Sequence, residues 1–133
     1  MPHWKFICRY NTEKECFIRK MFGDYKHRNI SKGDTLYLHK LPKSLIGPFV
    51  AKSDPLQNPV QQAWSEQVNA NLKCQVKIDW TSTVYRISLG DVPTANLPIM
   101  PEDDTNFQKF TNSEGNRVRN ALQNHGTVVV SPP

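Results

Sequence analysis

Residues 72–80, LKCQVKIDW, alternate without a break: Leu72, Cys74, Val76, Ile78 and Trp80 fall on one side, and Lys73, Gln75, Lys77 and Asp79 on the other. A period of two sends successive side chains to opposite faces of an extended chain, so this stretch has an apolar face to bury and a polar face to leave in water. A helix would scatter the same residues around its circumference. The chain must therefore build a sheet, because one or two strands alone are not stable in water.

Other stretches share the pattern. His3 to Tyr10 places Trp4, Phe6 and Cys8 opposite Lys5, Ile7 and Arg9, and Thr35 to His39 alternates as well. Residues 45–52 read as the returning strand of a hairpin, with Gly47 and Pro48 marking a bulge or an edge position. Thr83 to Leu89 is a further strand. Helical spacing appears twice. Thr12 and Glu15 have the spacing of a capping box, and Phe17, Ile18, Met21 and Phe22 give a buried stripe. A helix is expected over 12–22, with Gly23 as its left-handed cap. Asn106 to Gln123 suggest one or two helices, with Phe107, Phe110, Val118, Ala121 and Leu122 on the apolar face, a weak point at Gly115, and Arg117 and Arg119 in solvent. Residues 53–71, around Trp64, read as an irregular loop. Residues 127–133 read as an added strand or the start of a linker to a further domain. The expected fold is α+β, mainly β: one domain over 1–126 and a tail over 127–133. Five or six strands would form a small curled sheet or barrel with helices on its side.

Composition narrows the function. The 133 residues include ten prolines and carry a net charge of +5, from 17 Lys and Arg against 12 Asp and Glu. That balance favours polyanionic partners, although a solvated basic surface gives the same count. No apolar run approaches the roughly 20 residues that span a bilayer, and residues 1–9 lack the pattern of a signal peptide. Cys8, Cys16 and Cys74 form no paired motif, so reduced thiols and an intracellular, cytoplasmic setting are expected. His3, His27, His39 and His125 are scattered, so neither a metal nor a cofactor is expected. Glu102, Asp103 and Asp104 precede a helix, where its dipole favours acids. No nucleophile, acid–base pair or phosphate loop points to an enzyme.

In order along the chain stand FICRYNTEKECFIRKMFG, GDTLYL, LIGPFVAKSD and LKCQVKI. This series resembles the development and cell death domain and its relatives of the EVE and YTH group. Its aromatic-Gly element is Phe22-Gly23, its Gly-Asp-x-Leu-aromatic-Leu strand is residues 33–38, and its return strand is residues 47–53. The resemblance implies a PUA-like barrel that binds RNA or DNA without catalysis, with a modified or flipped base in an aromatic pocket. Carried over, the pocket is Arg9, Tyr10, Asn11, Phe22, Tyr25, Ser53 and Asp54, with Trp64 as a lid. Lys20, Lys26, Arg28 and Lys32, with His27 among them, would hold phosphates. Aromatic faces stack bases, while Asn, Ser and Asp read polar edges. Two departures from the pattern stand out: Asp24-Tyr25 replace a Leu-Pro, and Phe22 stands where YTH-type relatives place a cage tryptophan. Several assignments have a plainer counterpart, and the basic cluster would serve equally well as a solvated loop. Phe22 fits a helix core, Asn11 a helix cap, Tyr10 a barrel cap, and Trp64 a loop anchor. The alternative reading is an interaction module that binds a protein or small ligand in the same pocket.

Overall fold

The computed structural model describes residues 2–8, 13–24, 28–40, 43–56, 74–80, 83–90, 94, 96–99 and 108–129. In chain order the elements are β1 (His3–Cys8), α1 (Glu13–Arg19), β2 (Met21–Asp24), β3 (Thr35–Lys40), β4 (Ser44–Ala51), β5 (Cys74–Asp79), β6 (Val84–Ser88), β7 (Gln108–Phe110), α2 (Asn112–His125) and β8 (Thr127–Val129). The protein is α+β and mainly β. Among the described residues no helix is long and apolar enough to cross a membrane.

The first helix is shorter than its periodicity predicts. Lys20 takes a left-handed conformation, φ 52°, and its N–H reaches the Phe17 carbonyl at 3.3 Å, which ends α1 before Met21. Met21–Asp24 then pair antiparallel with β5, from Met21↔Lys77 to Asp24↔Cys74. Gly23 lies on a strand opposite Gln75 and is not a helix cap. The early stop also rotates the helix face: Cys16 and Phe17 are buried, whereas Ile18 is 60% exposed. A ladder with β5 satisfies more backbone groups than one further helical turn could, so the tertiary pairing overrides the local stripe.

Among the described residues, eight strands share one mixed sheet in the order β2-β5-β4-β3-β1-β7, with β6 beside β4 and β8 beside β6. That is more than the five or six expected. β1 and β3 are parallel, from His3↔Thr35 to Cys8↔Lys40, and the other pairings are antiparallel. β4 is central and has strand partners on both sides. Its residues Ser44–Gly47 pair with β6, and Val50 and Ala51 pair with β5. Pro48 falls in the gap between these partners, where no ladder donor is required. The expected irregularity is present as a register shift between Leu36 and Leu38.

The sheet curls strongly. Four strand spacings separate β2 from β1 along the path, about 19 Å if flat. Even so, the rings of Phe6 and Phe22 on those strands lie 5.7 Å apart. The sheet remains open, and the core inside its curl holds these rings together with Phe17, Phe49, Val76 and Ile78. A second core forms on the other face, where Tyr37, Leu45, Ile87 and Phe110 meet Val118 and Leu122 of α2. Coverage of both faces hides the alternation of β1 and β3, so Lys5 and His39 are as buried as Phe6 and Leu38.

The expected C-terminal helix divides in two. Gln108–Phe110 extend the sheet beside β1, and a capping box of Thr111 and Glu114 starts α2. Of the two forms open for residues 127–133, Thr127–Val129 take the strand, paired with β6.

Candidate functional site

Of the residues assigned to a site from the sequence, Arg9, Tyr10, Asn11, Tyr25, Lys26, His27 and Trp64 lie outside the described residues. Phe22 is fully buried, 5.7 Å from Phe6 and edge-on to Phe49 at 5.0 Å. Its ring is core and offers no face for a base to stack on. Arg28 is half-buried.

Three others come together, Lys32, Ser53 and Asp54, and Lys20 stands at the far end of the same margin. The chain leaving β4 turns across the end of β5, where the Ser53 hydroxyl accepts the Lys77 N–H at 3.2 Å. Asp54 then accepts the Lys32 N–H on its carboxylate at 2.8 Å. Gly33, at φ 95°, makes the turn that brings Lys32 there, and its N–H bonds the Ala51 carbonyl at 2.8 Å. A side chain with a Cβ disfavours that dihedral. Lys20 closes the other end of this edge, its carbonyl accepting the Ile78 N–H at 2.8 Å. Residues far apart in sequence thus share one margin of the sheet.

Two residues that sequence reasoning left out stand on the same margin. Lys52 and Lys77 are both exposed, and the Lys52 N–H bonds the Lys77 carbonyl at 2.7 Å. Lys77 was legible as an outward residue of its strand, but its neighbour across the ladder was not.

A second polar cluster lies beneath α2. The Tyr37 hydroxyl donates to the Gly115 carbonyl at 3.1 Å, so the His3 Nδ1–H donates to Tyr37 Oη at 2.9 Å. Lys5 Nζ donates to His39 Nδ1 at 3.3 Å. Arg119, expected in solvent, is half-buried and donates to Thr35 Oγ1 at 3.0 Å. Burial, and then the Arg119 charge, holds the His3 pKa below its usual value. Burial pushes the Tyr37 hydroxyl up. Among the described residues no buried side-chain N or O lacks a hydrogen-bond partner, so this cluster is a satisfied lock between helix and sheet. The Gly33-Asp34 pair has a similar duty, since Asp34 accepts both the Trp4 indole N–H and the Ser31 N–H at 2.9 Å.

The family model described as the Development and cell death domain matches residues 4–95. That span runs from β1 past β6 and includes the whole basic margin; β7, α2 and β8 follow it. No curated protein and no solved structure matches the chain. With order, spacing and more than half its length in agreement, the chain belongs to the Development and cell death domain family.

Proposed function

We propose that this domain binds nucleic acid without altering it, reading a modified or flipped base at the mouth of a curled, PUA-like barrel inside the cell. The observation that carries the reading is the Lys32–Asp54 bond. It joins the basic loop to the polar end of the return strand, so phosphate-holding and base-reading groups share one margin. The net charge of +5 supports the same partner class, and the curl that brings Phe6 to Phe22 supports the barrel. Arg9, Tyr10, Asn11, Tyr25 and Trp64 form the proposed pocket, with Ser53 and Asp54 as polar readers. Phe22 backs it from within the core.

Fluorescence anisotropy with short RNA and DNA oligonucleotides, plain and carrying methylated or hydroxymethylated bases, tests the proposal. Tightest binding to one modification is expected, with loss in Tyr10→Ala or Trp64→Ala. No binding to any oligonucleotide at low salt would overturn it in favour of a protein partner. Ile18, 60% exposed beside this margin, would suit such a partner.

A further inference from the structure

Resting on the nucleic-acid reading above, we infer that Lys32, Lys52, Lys77 and Lys20 form a track for the phosphodiester backbone of a single strand. The pairing of β4 with β5, Val50↔Asp79 and Ala51↔Ile78, continues into the Lys52–Lys77 bond of 2.7 Å. Directly opposed residues point to the same face of a sheet. Because Ala51 and Ile78 are buried, Lys52 and Lys77 both point outward. Like charges placed directly opposite destabilise a sheet, and an anion between them reverses that sign. Lys20 occupies a left-handed position that glycine or asparagine fills at less cost. Both places favour another residue, and both hold an exposed lysine.

Lys32 completes the row, since the Gly33–Ala51 bond sets it beside Lys52. From Lys32 to Lys20 the row crosses three strand spacings, about 15 Å. The carboxylate of Asp54 is turned onto the Lys32 backbone, and half-buried Asp79 stands opposite Val50. Val50 and Ile18, 40% and 60% exposed, border the row two residues from Lys52 and Lys20. Exposed aliphatic groups beside a basic track offer van der Waals surface to unpaired bases, which a duplex would hide.

The test measures anisotropy of fluorescein-labelled single-stranded 12-mers and their duplexes on the full chain, across a salt series. Lys52→Gln/Lys77→Gln is expected to weaken single-strand binding at least tenfold and to flatten the log–log salt slope by about 1.4, at about 0.7 per lost contact. Lys43→Gln/Arg117→Gln, with the same charge change on other exposed surfaces, should stay within twofold. Lys52→Glu should raise Tm while weakening binding, which separates a lost contact from a damaged fold. Binding by the unsubstituted chain that the Lys52/Lys77 pair leaves unchanged, or that prefers duplex, overturns the track alone. No binding by the unsubstituted chain overturns the nucleic-acid reading and the track with it.

Discussion

At the scale of single residues, the sharpest constraint is the contact between His3 and Gly115. A Cβ at position 115 would overlap the imidazole ring, so the helix approaches the sheet only because nothing is there. Alanine favours a helix interior over glycine by about 1 kcal/mol. Overpacking a tight contact costs about 1–3 kcal/mol, and here it wins. Gly115→Ala should therefore lower unfolding stability in urea titration despite the better helix former. His3 itself ties stability to pH. Its pKa is lowered on folding from 6.5, so the unfolded chain binds its proton more readily. This contribution is complete above pH 6.5 and is lost as pH falls from there toward the lowered value. Urea midpoints at pH 7.5 and 5.0 should differ in that direction, and His3→Gln should narrow the difference.

Among the elements, α1 and β2 show where periodicity misleads. The stripe of Phe17, Ile18, Met21 and Phe22 satisfies a helix, but the strand facing Met21–Asp24 decides the outcome. The turn between them rests on Lys20 at φ 52°. A non-glycine residue in that region costs about 1–2 kcal/mol. Lys20→Gly should thus raise the urea midpoint while weakening oligonucleotide binding, and a loss of stability would refute this account of the turn. Sequence placed β1, β3, β4, β5 and β6 correctly because their alternation is intrinsic to each segment. It missed β2 and β7, which are too short to carry a period of their own and exist through the ladders of β5 and β1.

At the scale of the molecule, the family match ends at residue 95, but the second core does not. Phe110, Val118 and Leu122 are buried against the sheet, and without them Tyr37 and Leu45 would face water. Fully burying each such side chain is worth about 1.5–3 kcal/mol, and the sum rivals the stability of a small domain. A chain ending at residue 107 is expected to lose its cooperative thermal transition in circular dichroism. The retention of a sharp melt would show that the matched span folds alone. By itself the sequence determined the mainly β class, the long strands, the family and the basic charge, because alternation, motif order and composition are properties of the chain read in line. Only the tertiary structure decided that Phe22 belongs to the core, that Lys5, His39 and Arg119 sit beneath a helix, and that Lys52 stands opposite Lys77. Burial and cross-strand neighbours depend on which segments meet, and no single segment encodes its partner.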